Sequence, residues 1–283
     1  MGETMSQAAI RELGAELRKA RENAGLTQRG VADAAEISSH SRIGEMEAGK
    51  RLLRPDELDR LLRVLNLSGS ERSRLAALAR PAGGPGALYA GMSGVSKILA
   101  QLIDYESAAT RITDVSPLLI PGLLQTTDYA RAVIGGGDPD SVLRVTLRAG
   151  RRGILTRSDP CELHALIDSE ALVRPVAPPA VMADQLRHIL RLAELDNVSI
   201  QVVQSTTPGY HPMLAGPFEL IEFAAAAPVV LLDHHRSSAF LWQREDVQEF
   251  MKAADLLRQG VAMTPKRSVE VIAGIVHGME TTG

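Results

Sequence analysis

Over the first eighty residues, short apolar stripes recur at helical spacing, and each ends at a turn signal. Ile10, Leu13, Leu17 and Ala20 recur three and four apart with Arg11, Glu12, Glu16, Arg18 and Lys19 between them, which predicts an amphipathic helix. Asn23-Ala24-Gly25 stops it. Thr27 is placed to cap a second helix whose apolar face is Val31, Ala32 and Ala35. Ser38 and Ser39 offer the next cap, Ile43 and Met46 anchor a third helix, and Gly49 stands where its C-terminal cap falls. Pro55 opens a fourth helix with Leu58, Leu61, Leu62 and Leu65 at i, i+3, i+4 and i+7. Ser70 caps a fifth, with Leu75 and Leu78 inward. Five short helices joined by tight turns predict a compact all-α domain over residues 8–80.

Residues 81–86, Pro-Ala-Gly-Gly-Pro-Gly, break both helix and strand and predict an interdomain linker over 81–93. Beyond it the period changes. Residues 94–113 and 138–157 have helical patterns, and 163–167 is a short apolar run suited to a strand. Residues 178–195 form an amphipathic helix after a double proline, with Val181, Leu186, Ile189, Leu190 and Leu192 apolar. Residues 198–203 and 218–223 alternate as strands do, and 229–232 is continuously apolar. Helices near 244–258 and 264–280 close the pattern. The expected fold is therefore multidomain: an N-terminal all-α helix-turn-helix module, then a mixed α/β effector domain over 94–280 whose strand order the sequence leaves open.

Composition narrows the function classes. The length of 283 residues accommodates two domains, and 45% hydrophobic residues can fill a core in each. The net charge of −3 gives no hint of nucleic acid. Residues 1–80, however, hold 14 Lys and Arg against 12 Asp and Glu, which favours phosphate contact by that segment. Aromatics at 3% are too few for a single-strand or RNA stacking platform. A single cysteine, Cys161, suits a reducing cytoplasm. No apolar leader stretch and no run of about 18 apolar residues is visible, so a cytoplasmic protein without membrane contact is expected.

Residues 27–35 and 39–47 supply what a helix-turn-helix needs, a first helix over the DNA backbone and a second whose leading turn enters the major groove. Ser39, His40, Ser41 and Arg42 are then nearest the base edges, where Arg42 can pair bidentately with guanine. Thr27 and Gln28 start the first helix, and Gln28 can hydrogen-bond a phosphate with help from the positive helix end. Lys50, Arg51 and Arg54 follow the second helix as phosphate contacts. Glu45 and Glu47 would repel phosphate, so they are expected to face the domain or an ion pair, Glu47 toward a nearby arginine.

The run Leu26-Thr27-Gln28, Ala32, Ser39-His40-Ser41-Arg42-Ile43 and Glu47-Ala48-Gly49-Lys50-Arg51 resembles the xenobiotic-response-element (XRE) type, lambda-repressor-like helix-turn-helix. It departs from that pattern in three places. The interval from Gln28 to Ile43 is one residue longer, Glu36 replaces the turn glycine, and Met46 stands where Ile is usual.

The second segment extends the resemblance. Glu106-Ser-Ala-Ala-Thr-Arg111 and Pro121-Gly-Leu-Leu-Gln-Thr-Thr-Asp-Tyr-Ala-Arg-Ala132 are similar to the hallmark of large actinobacterial regulators that join such a module to a C-terminal domain of unknown function. So are Arg152-x-Ile154-Leu155-Thr156-Arg157, Val181-Met182, Gln185-Leu186, Asn197-Val-Ser-Ile-Gln-Val202 and Gly216-Pro217-Phe218. The resemblance implies a regulator of development or specialised metabolism and a small partner protein, often encoded nearby, that engages the effector domain.

Within that domain, Thr127 or Asp128 can cap the helix carrying Tyr129. The segment either docks that helix on the sheet or, through Gln125 and Tyr129 with His211, meets a partner or ligand. The loop holding His211-Pro212 and Gly216-Pro217 reads as a hairpin connection or a pocket rim.

The expected function is a sequence-specific transcription regulator that binds double-stranded DNA as a homodimer, with no enzyme activity, cofactor or metal. Two alternatives stay open. One is a protein-interaction module with weakened DNA binding. The other is a metal-dependent hydrolase built on Asp233-His234-His235, although His164, His188 and His211 are scattered and no further carboxylate cluster accompanies the triplet. Cys161 reads as core, and no GxGxxG, P-loop or nucleophile-elbow motif is present.

Overall fold

The computed structural model describes residues 7–50, 53, 55–65, 67, 71, 75, 96–135, 140–224, 226–234 and 238–281. The expected linker, most of the fifth helix, Arg51, Arg54 and His235 lie outside them. The chain divides into two compact units, one within Met1–Leu88 and the other within Tyr89–Leu241 and Glu245–Gly283.

In the first unit the described helices are α1 (Gln7–Asn23), α2 (Gln28–Ala34), α3 (His40–Glu47) and α4 (Pro55–Val64). They close around Leu13, Leu17, Val31, Ala32, Ala35, Ile43, Met46, Leu61, Leu62 and Leu65, the face the spacing predicts. Each of the first three helices ends in the same way. The residue after the cap (Gly25, Glu36 or Gly49) takes a left-handed backbone at φ 67°, 54° or 65°. Paired bonds such as Ile37 N–H to Ala32 O at 2.9 Å and Lys50 N–H to Glu45 O at 2.8 Å then satisfy the last carbonyls. Glu36 is the one non-glycine described in that conformation. α1 and α3 approach so closely that a Cβ on Gly14 would stand 2.4 Å from the Met46 carbonyl oxygen.

The second unit is built on one six-stranded sheet: β1 (Arg111–Ser116), β2 (Glu162–Asp168), β3 (Val198–Val203), β4 (Phe218–Glu222), β5 (Val229–Asp233) and β6 (Ser238–Leu241), in the order β3-β2-β1-β4-β5-β6. β1, β2 and β3 are parallel, and β4, β5 and β6 add antiparallel beyond β1. The helices are α5 (Lys97–Ala108), α6 (Thr127–Ile134), α7 (Ser141–Arg151), α8 (Ser169–Val173), α9 (Pro179–Leu192), α10 (Arg244–Leu256) and α11 (Pro265–Thr281). One sheet face packs Val115, Leu166, Phe218, Leu220 and Val230 against Val247 and Ala254 of α10. The outer edge of β3 is occupied: Val202 N–H donates to Ser268 Oγ at 2.8 Å and Val202 O accepts from Met263 N–H at 2.8 Å.

Several expectations are corrected here. The central strand β1 occupies 111–116, where the helical pattern of 94–113 predicted helix to the end; the helix stops at Ala108. β6 was not anticipated. The connection holding His211 is not a hairpin, because β3 and β4 stand with β2 and β1 between them. The cap of α6 is Thr126, whose Oγ1 accepts from Tyr129 N–H at 3.3 Å, one residue before the expected Thr127.

Candidate nucleic-acid interface

The helix pair α2–α3 is held from within by ion pairs. Arg21 of α1 grips Glu47 with Nε and Nη2 at 2.6 and 3.0 Å, and the Gln28 amide donates to the same carboxylate at 2.9 Å. The expected pairing of Glu47 with an arginine is thus present, and it fixes the end of α3 to α1. Gln28 is half-buried in this network and packs against Gly44, so one of its donors is already committed inside the domain. Thr27 caps α2 by accepting from Gly30 N–H at 3.0 Å, and Ser39 caps α3 by accepting from Ser41 N–H at 3.3 Å. Ser39 and Ser41 also share a hydroxyl hydrogen bond at 2.7 Å.

Arg42, expected at a guanine edge, is turned toward α4 in this structure. Its two terminal nitrogens bind both oxygens of Glu57 on α4 at 2.5 and 2.7 Å, and the Glu57 side chain is only 2% exposed. While so paired, the fork is occupied by an internal carboxylate. Glu45 is the opposite case. It was expected to turn inward, yet it is exposed, and no described residue contacts its carboxylate. What α3 presents outward is therefore His40, Ser41, Glu45 and Ala48, all exposed, with half-buried Gly44 between them. Lys50 is exposed just past the helix. Arg29, which sequence reading passed over, is exposed in the first turn of α2. Its only sequence signal was a position directly after Thr27-Gln28.

In the second unit, the residues expected to meet a partner or ligand are interior. Gln125, Tyr129 and His211 are 4%, 0% and 4% exposed. Residues 121–126 form a joint: Leu123 and Leu124 are buried in a short 3-10 turn, and the Gln125 amide bridges Ile120 O at 2.8 Å and Arg148 Nη1 at 3.0 Å. Gln185 of α9 inserts its amide into the same turn, accepting from Thr126 N–H and donating to Leu124 O, each at 2.7 Å. The Tyr129 hydroxyl accepts from Ile120 N–H at 3.3 Å. Such bonds satisfy backbone that would otherwise be buried unpaired.

Other motif residues do the same. Arg157 donates to the carbonyls of Ser107 and Ala109 at 2.5 and 2.9 Å, closing the end of α5. Asn197 donates to Leu155 O and Cys161 O at 3.1 and 2.7 Å.

Beneath α5 and α7 lies a buried charged group. Glu106 and Arg151 form a two-bond ion pair at 2.5 Å, with side chains 1% and 7% exposed. Asp114 and Glu219 stand directly opposite each other across β1 and β4. Burial pushes Asp114 up to about 6, against a hydrogen bond from Ser116 and the pull of Arg151. Burial, then the carboxylates of Glu106 and Asp114, raises Glu219 well above the ordinary range. Burial also lowers the Arg148 guanidinium to about 10.

Among the described residues no three His, Cys, Asp or Glu side chains are grouped to hold a metal ion. Asp233 instead accepts from the Ser238 hydroxyl. Cys161 is buried, and burial pushes its thiol up to about 12. No described helix is long and apolar enough to cross a membrane.

Residues 99–274 match the family model described as a domain of unknown function (DUF5753). The chain belongs to this family. Residues 12–75 match a helix-turn-helix domain, which marks a DNA-binding regulator. No curated protein and no solved structure matches the chain. The DUF5753 region thus spans α5 through most of α11, and it contains the Pro121–Thr126 joint, the Glu106–Arg151 pair and the Arg157 and Asn197 staples. In this member those residues hold the fold together from inside.

Proposed function

We propose that this protein is a sequence-specific transcription regulator of the XRE, lambda-repressor-like type, of the kind found in actinobacteria. It lays the leading turn of α3 into the major groove of double-stranded DNA. One observation carries the reading: α3 is capped at Ser39 and braced at both ends by Arg21–Glu47 and Arg42–Glu57, while His40, Ser41 and Glu45 remain exposed on its outer side. Ser41 and His40 take the base edges, and Arg29 and Lys50, with Arg51 beyond the described residues, take phosphates. Thr27, Gln28, Ser39 and Arg42 serve chiefly to position these groups.

A single module reads only a few base pairs, so two copies on half-sites about 34 Å apart supply the affinity. The second unit holds the copies together and receives the signal of a small partner protein or ligand. Its receiving surface lies elsewhere than Gln125, Tyr129 and His211, which are interior. The protein works in the cytoplasm, and its residues 81–93 serve as linker between the two domains.

Gel shift of the full chain on DNA from its own promoter region, with salt titrated, tests this. A specific shift that weakens by more than tenfold between 50 and 200 mM salt is expected. Equal, weak binding to every duplex would refute it.

A further inference from the structure

Resting on that reading of α3, we propose that Glu45 sets base specificity: its carboxylate accepts a hydrogen bond from an exocyclic amino group in the major groove and selects cytosine at the position it faces. Ser41, Glu45 and Ala48 recur at i, i+4 and i+7, on the side of α3 opposite the buried Ile43 and Met46. They form the middle of the outer stripe, and Glu45 lies one turn beyond the capped end. Ser41, Gly44 and Ala48 beside it are small, so the helix can sit deep and bring the longest side chain of the stripe to the base edges.

The charges around α3 leave this carboxylate uncompensated. Arg21 is closed on Glu47 and Arg42 on Glu57, and among the described residues no hydrogen bond or ion pair holds the Glu45 carboxylate. It therefore arrives at the groove as an acceptor with its lone pairs open. Guanine offers O6 and N7 there and thymine O4, all acceptors, which a carboxylate meets unfavourably. Only cytosine N4 and adenine N6 carry donor hydrogens. Adenine places its acceptor N7 beside the amino group, which suits the paired donor and acceptor of an amide side chain. Cytosine's own edge carries the N4 donor with no acceptor on the same base, and only the paired guanine O6 lies beside it, whereas adenine N6 has acceptors on both sides, its own N7 and the paired thymine O4; a group that accepts only therefore meets cytosine with less repulsion.

The test is selection of bound duplexes from a random pool by the full-length wild type, Glu45→Gln and Glu45→Ala proteins. Gel shifts then follow on the selected site carrying each base pair in turn at the affected position. The expected wild-type site holds cytosine at one position, and any other base there weakens binding about tenfold. Glu45→Gln moves the preference at that position to adenine. Glu45→Ala levels the four bases there and leaves the rest of the site unchanged. A selected site identical in all three proteins, with the variants binding every duplex more tightly, overturns this inference alone: the carboxylate then merely repels phosphate. A wild-type protein that enriches no sequence overturns the DNA-binding reading and this inference with it.

Discussion

Replacing Arg42 with alanine should loosen the first unit before it says anything about DNA. The guanidinium makes two bonds, at 2.5 and 2.7 Å, to a carboxylate whose side chain is 2% exposed, while Arg42 itself is 19% exposed. Removing one member of a buried pair costs about 3–5 kcal/mol, because the remaining charge stays desolvated. Partial exposure of Arg42 places this case near the lower end, at about 3 kcal/mol. A domain of this size has roughly 3–10 kcal/mol in all, so the loss is a large share.

Hydrogen exchange of the full chain, read by mass spectrometry on peptides from α2 and α3, measures the opening locally. A loss of about 3 kcal/mol appears there as roughly 150-fold faster exchange. The double variant Arg42→Met with Glu57→Leu should recover most of it, since apolar groups of similar volume replace a buried pair at little cost. Exchange unchanged in Arg42→Ala, together with loss of preference at one base pair of the operator, would show that Arg42 reads DNA and that the Glu57 pair does not hold the helices.

Glu36→Gly should stabilise the first unit by about 1 kcal/mol, seen as a higher urea midpoint, because glycine takes φ 54° without the left-handed penalty of about 1–2 kcal/mol and loses only part of that in chain entropy. Gly14→Ala should destabilise the same unit by about 1–3 kcal/mol and so lower that midpoint, since its Cβ would stand 2.4 Å from the Met46 carbonyl oxygen; an unchanged midpoint would mean that α1 and α3 are not so close. Asp114 is pushed up to about 6 in the folded chain. The native state therefore holds that proton longer, and stability should fall as pH rises from about 4 to about 6, with Glu219, raised further, extending the fall beyond that. Asp114→Asn should flatten that part of the profile and raise the midpoint at pH 7.5. Cys161 should resist a soluble disulfide reagent in the native protein and react in full once urea unfolds the second unit.

The helices of the first unit were legible because their apolar residues keep one period and their ends carry glycine or a capping hydroxyl. Leu13, Leu17, Ile43, Met46, Leu61 and Leu62 are all buried where the spacing put them. β1 was hidden because Ile112 and Val115 lie three apart, as they would on a helix continuing from Ala108, and because the inward position between them is an aspartate. A buried acid breaks the alternation on which strand reading depends. β6 has only four residues. In the interface, Glu47 was read correctly because an arginine was expected near it. The pairing of Arg42 with Glu57 was not legible because that partner lies 15 residues away on α4. Glu45 was expected to turn inward because charge sign was weighed against phosphate alone, yet it is exposed. The hallmark of the second unit marked its residues faithfully, but neither spacing nor charge tells an internal staple from a surface contact.

The seat of Ser268 against β3 has a practical consequence. Strand edges with open amide and carbonyl groups recruit strands from other molecules. Here the chain seals its own boundary with residues that come after every strand, so a shortened protein ending near residue 262 would keep all six strands and still expose a sticky border. Such a truncation should precipitate or form open-ended assemblies rather than yield a minimal regulator, and attempts to trim this protein for crystals or two-hybrid baits should leave its tail in place.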